Sequence, residues 1–241
     1  MKKYFFTLML AAGMVQTSLA QNVGLSFSYF IPRNGSFSTP ISPFSLRGVG
    51  FNLNNFVAVQ TGATLYRMSG LSMIDLPLSS NDPFVGPNFT IFVPAELVFQ
   101  LRGKSVQLDL KGGGFFFYGF DQKLNSGNID NAIRALKQWD VANSNLSFEN
   151  NPGFGTQFGA EFTFYPSSLF GISLETNYLM GTSKMPLKGS YSGGKLNGTI
   201  SSEAVDYSDA KVDFTGLEFS IGIIFTGNSS GPKKSKARRR R

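Results

Sequence analysis

The sequence predicts an all-β protein: an eight-stranded antiparallel transmembrane β-barrel with four long extracellular loops and short periplasmic turns. Three observations predict it. Eight runs alternate apolar with polar or small residues at period two, the signature of strands. Most of these runs are nine to thirteen residues long, beyond the ~5–6 of soluble strands and matching the ~9–11 of a tilted spanning strand. The connections between them alternate strictly between short and long. Composition agrees, with charged residues at 15% and raised Phe (25) and Gly (27), against ~25% charged in an ordinary soluble domain.

The first element is a leader. Lys2 and Lys3 precede an apolar run over 4–14 and a small-x-small site ending at Ala20, which reads as a secretory signal peptide over 1–20. A barrel over 21–226 and a basic periplasmic tail over 227–241 complete the expected organisation. No later segment approaches the ~20 continuous apolar residues of a spanning helix.

The strands follow in order. Leu25, Phe27, Tyr29 and Ile31 alternate with Gly24, Ser26, Ser28 and Phe30. Val49, Phe51 and Leu53 follow a bulge expected at Gly48, then Val57 to Leu65, Phe89 to Leu101 and Val106 to Leu110, the last continuing through Gly112, Gly113 and Gly114 to Phe120. Three more runs centre on Phe158 to Phe164, Ile172 to Met180 and Leu217 to Phe225. Short connections fall at 54–55, 102–104 and 165–168, and long ones at 32–43, 69–88, 121–153 and 184–214. Pro94 forfeits a ladder hydrogen bond in mid-strand and suggests a bulge or a strand end. The stretch 190–204 holds a further hairpin, with its turn expected at Gly193 and Gly194. It is read as rising above the membrane, with ten spanning strands as the alternative.

If the apolar face meets lipid, the other face fills the barrel. That face carries Arg47, Glu96, Asp109, Lys111, Glu161, Glu175 and Glu218, and a charge on the lipid face would cost roughly 2–4 kcal/mol for Arg or Lys at the midplane. An eight-stranded barrel is just wide enough for its side chains to fill. A packed network of ion pairs and hydrogen bonds is therefore expected, not a pore. Five acids against two bases leaves carboxylates to be protonated or met by a loop lysine.

The leader, the eight alternating runs and the end strand over 216–225 resemble the small outer-membrane barrels of the OmpA/OmpX type. The Gly- and Phe-rich style is similar to the PorT-like barrel family of Bacteroidota. The resemblance implies an outer-membrane location with both termini periplasmic. It also implies that Gly216, Phe219, Gly222 and Phe225 form the signal offered to the barrel-insertion machinery, and it allows a subunit role in a secretion or envelope-assembly complex. One departure is that sixteen residues follow Phe225, where such barrels end at the aromatic.

Two further candidate contact sites stand out. In the third long loop, Ile129, Ala132, Ile133 and Leu136 recur at helical spacing after Asn128, a plausible N-cap, with Trp139 near the end. Ile129, Ile133, Leu136 and Trp139 would meet a partner or pack over the barrel. The tail carries Lys233, Lys234, Lys236, Arg238, Arg239, Arg240 and Arg241, suited to an acidic protein, peptidoglycan carboxylates or anionic lipid. Without leader and tail the body holds 13 basic and 15 acidic residues, so the high pI implies no nucleic-acid partner.

The chain has no His and no Cys. Histidine-dependent acyl transfer, the usual zinc ligands and disulfides are excluded, and neither a cofactor nor an enzymatic activity is expected. The expected role is a non-enzymatic barrel acting as a scaffold within an envelope, secretion or assembly complex. The alternatives are a surface adhesin working through its long loops and, third, a narrow solute channel.

Overall fold

The computed structural model describes residues 22–34 and 45–226. The leader (1–20), the basic tail (227–241) and most of the first long loop lie outside the described residues. In chain order the elements are β1 (Asn22–Pro32), β2 (Ser45–Asn52), β3 (Val57–Met68), β4 (Met73–Ile74), β5 (Asn88–Arg102), β6 (Val106–Phe120), α1 (Ser126–Lys137), β7 (Val141–Phe148), β8 (Gly153–Phe164), β9 (Phe170–Lys184), β10 (Leu187–Gly194), β11 (Ser201–Tyr207), β12 (Lys211–Asp213) and β13 (Gly216–Thr226).

Eight of these strands close into an antiparallel barrel, in the order β13-β1-β2-β3-β5-β6-β8-β9 and back to β13. Closure rests on β13. It pairs with β9 from Gly216↔Leu179 to Phe225↔Phe170 and with β1 from Pro32↔Gly216 to Asn22↔Thr226. The alternation read from the sequence is the reason for the two faces. Leu25, Phe27, Leu97, Phe99, Phe158, Leu174 and Ile221 point outward and are exposed, while Ser26, Ser28, Gln100, Gln157 and Glu175 point inward and are buried. An outward face this apolar all round is covered only by lipid, and closure leaves no unpaired edge inside the bilayer. The crossing is made by strands: among the described residues no helix is long and apolar enough to span.

Two irregularities shape the wall. Between Leu46 and Val49 the β2–β3 register shifts, and Gly48 takes φ 71°, a left-handed conformation that a side chain resists. The bulge turns Arg47 inward. Pro94, in contrast, produces neither a bulge nor a strand end. β5 runs through it in unbroken register with β6, and only the partners opposite Gly62 and Ala63 on β3 are missing. There the Thr61 hydroxyl donates to the Pro94 carbonyl at 2.6 Å.

The long connections build a head on one end of the barrel. β12 prolongs the wall beside β9 and pairs with β4. β7, β10 and β11 form a separate three-stranded sheet that takes no part in the wall, so the barrel has eight strands and not ten. The turn of the β10–β11 hairpin lies at 195–200, where the Gly198 N–H donates to the Lys195 carbonyl at 2.9 Å. Gly193 and Gly194 are paired within β10, and a Cβ at Gly193 would run into the Val141 carbonyl and the Trp139 ring. Helix α1 begins one turn earlier than the spacing predicts: Asn125, not Asn128, is its N-cap and accepts from the Asn128 N–H at 3.3 Å. The Asn128 side chain instead donates to the Pro83 carbonyl at 2.8 Å. Short turns and both barrel termini share the other end, the arrangement of periplasmic turns opposite extracellular loops.

Candidate functional site

The inward faces of the eight strands form two storeys of different chemistry. The lower one, toward the turns, is ionic. Strand register sets its rows: Lys111, Gly159, Asn177 and Glu218 are cross-strand neighbours, and Asp109, Glu161, Glu175 and Ser220 form the next row down. Arg47 enters from the bulged β2. Its guanidinium meets Glu175 at 2.9 Å and Glu218 at 2.5 Å. It also donates to Ser45 at 2.9 Å, Ser28 at 3.0 Å and Ser220 at 3.2 Å. Lys111 bridges Glu161 at 2.5 Å and Glu175 at 3.0 Å.

Neutral donors take up Glu96 and Asp109, which the two cations do not hold, and add to Glu175 and Glu218, which they do. Gln157 donates to Glu96 at 2.5 Å, Gln107 to both oxygens of Asp109 at 2.8 Å, and Asn177 to Glu218 at 2.7 Å and Glu175 at 2.9 Å. The Tyr66 hydroxyl also donates to Glu218. All seven residues expected in the lumen are thus buried there, and five acids remain against two bases. The loop lysines that form ion pairs stay in the head, Lys137 with Glu203 and Lys211 with Asp75. Two buried carbonyl oxygens of this storey, Gln157 Oε1 and Asn177 Oδ1, have no donor among the described residues.

The upper storey is aromatic, which the sequence reading did not anticipate. Phe30, Tyr66, Phe92, Phe115 and Phe117 point inward from the wall around Phe214, which the chain inserts just before β13. Phe214 stacks on Phe117 with ring centroids 4.5 Å apart and on Phe30 at 4.6 Å, and it is fully buried. Glycines make room for the rings: a Cβ at Gly153 would run into the Phe117 ring, and one at Gly155 into the Phe115 ring. The signal was present. In β6, Asp109, Lys111, Gly113, Phe115 and Phe117 share one phase, so carrying the inward register through the glycine run puts both rings inside. Phe30 likewise shares the phase of Ser26 and Ser28. Phe214 has no such signal, since its short segment has no periodicity.

Above this plug the same hydrophobic core continues into the head. Ile129 and Ile133 of α1 are buried in it with Leu71, Val85, Met185 and Leu187, so they face the interior and not a partner. Trp139 is partly buried and packs edge-on against Tyr191 at 5.9 Å. Of the four residues expected at a contact, Leu136 is the one left exposed. Val141, Leu196 and Ile200 are also exposed at this outer tip, where the Leu196 N–H donates to Asp140 at 3.0 Å. Glu203 joins the sheet to the helix, accepting from Lys137 at 2.7 Å and from the Tyr191 hydroxyl at 2.7 Å. Those bonds hold the Glu203 carboxyl below its ordinary range, and the bond to Glu203 holds the Lys137 ammonium above its own.

The end strand divides its expected signal between the two faces. Phe219 and Phe225 are exposed on the lipid face, while Gly216 and Gly222 are buried on the inner one.

No protein-family model matches the chain, and no curated protein sequence does. Among solved structures the chain is similar to the outer membrane protein OprG from Pseudomonas aeruginosa, at 11% identity and TM-score 0.49, covering 87% of this chain and 96% of that one. It is also similar to Ail, the attachment invasion locus protein of Yersinia pestis (12%, 0.40, covering 85% and 94%). A third is a major outer membrane protein from Thermus thermophilus (10%, 0.42, covering 86% and 98%). These likenesses concern overall barrel architecture alone. The location follows from the geometry itself: a closed eight-stranded barrel with an apolar outside and a filled polar and aromatic inside is built for the outer membrane.

Proposed function

We propose that the protein is a non-conducting, non-enzymatic scaffold of the outer membrane, a subunit of an envelope, secretion or assembly complex that works through contact at its outer head. One observation carries this reading: both storeys of the lumen are packed with side chains, and the loops that would frame a pore entrance are folded into a head whose hydrophobic core is continuous with the aromatic storey. A solute path needs water through the lumen, whereas a contact surface needs ordered loops on a rigid base. Insertion by the barrel-assembly machinery through Gly216, Phe219, Gly222 and Phe225 belongs to the same proposal.

The test is extraction from native outer membranes in mild detergent, comparing the full chain with a variant whose segment 138–150 is replaced by a short Gly-Ser linker. A complex that co-purifies with the full chain and is lost from the variant supports the scaffold. A lone species in both sinks it. In planar bilayers the full chain is expected to give no discrete conductance steps, and regular steps would restore the channel.

A second reading has its own observation. Leu136, Val141, Leu196 and Ile200 expose aliphatic side chains at the outermost tip, which suits a surface adhesin. Replacing all four with serine would then abolish surface attachment while leaving envelope complexes intact, and the scaffold reading predicts the reverse.

A further inference from the structure

The buried side-chain atoms left without a partner among the described residues are all acceptors: Asn88 Oδ1, Gln122 Oε1, Gln157 Oε1 and Asn177 Oδ1. The interior is thus short of donors. In the lower storey it is short of positive charge as well, with five carboxylates against Arg47 and Lys111. Buried carboxylates and unpaired carbonyls are costly in a barrel walled by lipid. The two shortages meet at one place. Glu96 and Gln157 lie on either side of Gly113 in a single row of the wall, Glu96↔Gly113 and Gly113↔Gln157. With no side chain between them they touch, and Gln157 Nε2 donates to Glu96 Oε1 at 2.5 Å. The oxygen of the same amide, Gln157 Oε1, has no donor.

The other four acids are provided for. Glu161 and Glu175 hold Lys111, and Glu175 and Glu218 hold Arg47. Glu218 also accepts from Tyr66 and Asn177. Asp109 accepts from Gln107 with both oxygens and lines a cleft at the turn end with room for about one water. Glu96 has neither a cation nor that cleft. It sits on the inward face of β5, between Phe92 above and Gln100 below, and is 6% exposed. No three acidic side chains among the described residues are grouped so as to hold a metal ion. A proton needs no space, removes one negative charge and adds one donor.

We propose that Glu96 is a neutral carboxylic acid in the folded barrel and closes a ring of two hydrogen bonds with the Gln157 amide. Gln157 Nε2–H donates to one Glu96 oxygen, and the acid O–H on the other donates to Gln157 Oε1. The terminal torsions of Glu and Gln are soft, so the two planes align without moving the strands. The proton comes from water as the barrel folds, and the charged groups around it, Lys111, Arg47, Glu175 and Glu218, keep their own pairs. The ring marks the border between the storeys: Phe92 lies above it, and charge begins with Lys111 in the next row down, opposite Val98. This goes beyond the scaffold reading and holds whether or not the head binds a partner.

Isotope-labelled glutamate carboxyl carbons, in the full chain folded in lipid vesicles at neutral pH, report the state by solid-state magnetic resonance. One resonance at the position of a neutral acid is expected, and it should be absent from Glu96→Gln. Urea unfolding is the second arm. Glu96→Gln keeps both bonds of the ring, so its midpoint should match that of the unaltered chain, whereas Glu161→Gln, which takes an acid from Lys111, should lower it. The proposal is overturned if the unaltered barrel shows no neutral-acid resonance, or if that resonance persists in Glu96→Gln. A lowered midpoint for Glu96→Gln, or a variant that no longer folds, overturns it too, since the storey would then require the charge.

Discussion

The two storeys of the lumen use the same strands, the same inward register and the same wall, yet they are filled in opposite ways. The lower one is closed by side chains that each strand contributes in register, locked by ion pairs across the barrel. The upper one is closed by rings that converge on Phe214, a residue that belongs to no barrel strand. The ionic storey needs every partner, because a buried charge without one is penalised far more than a missing contact. The aromatic storey needs volume, and glycines opposite the rings provide it. A barrel of this width can thus be sealed by matched charges or by shape, and this one uses both.

Arg47→Ala strikes the ionic storey hardest, since it leaves Glu218 with only the Asn177 and Tyr66 donors and Glu175 with Lys111 as its one cation. A loss of about 3–5 kcal/mol is expected, read as the shift in urea unfolding of barrels folded in lipid vesicles. A loss under about 1 kcal/mol would mean that the carboxylates find water, and the contrast between storeys would fail. Phe214→Ala comes next, within the ~3–5 kcal/mol typical of buried Phe, because the backbone bonds from Phe214 to Gly181 and from Arg33 to Thr215 hold its segment in place over the cavity. Bilayers holding that variant should stay silent, for the ionic storey still fills the lumen below. Steady conductance from Phe214→Ala alone would show that the aromatic plug is the whole seal.

Gly153→Ala is smaller, about 1–3 kcal/mol from overpacking against the Phe117 ring, and measurable in the same unfolding series. Combined with Phe117→Leu it should recover part of that loss, whereas a purely backbone effect would not respond. The smallest effect lies outside the membrane. Glu203 is held below its ordinary range, so its contribution to the head is present above the unfolded carboxylate value and fades as pH falls through its folded value. Lys137 is held above its range, so its contribution is present below the unfolded value and fades as pH rises past the folded one. Protection factors of the β10 and β11 amides, with the intrinsic base-catalysed rate divided out, should therefore be flat between those limits and fall beyond them, and Glu203→Gln should remove the acid limb.

The barrel was legible because its physics is periodic. Lipid on one side and a narrow lumen on the other impose alternation on every strand, and Asp109, Lys111 and Glu161 advertise their face by charge. The bulge at Gly48 was legible as well, since it keeps Arg47 out of lipid. The head was legible only in part: the spacing of Ile129, Ala132 and Ile133 gives α1, and the stretch 190–204 gives the β10–β11 hairpin, but not the cap, the turn or β7. β7 reads as a polar stretch because only Ala142, Leu146 and Phe148 face its core, and Asn125 and Asn128 are equivalent as caps until Pro83 claims one of them. The inward phase of Phe115 and Phe117 could have been followed through the glycines. The place of Phe214 is set by the tertiary fold alone.

Phe214 sits two residues before β13, and β13 is the strand that joins the last wall segment to the first. The order of events in assembly follows from that. Until β13 has found β1, at the far end of the chain, the barrel is an open sheet and its inner charges are reachable. Phe214 is held from the β9 side, where its N–H donates to the Gly181 carbonyl, and its ring meets Phe30 only across the β13–β1 seam. The stopper is therefore complete only when the wall is.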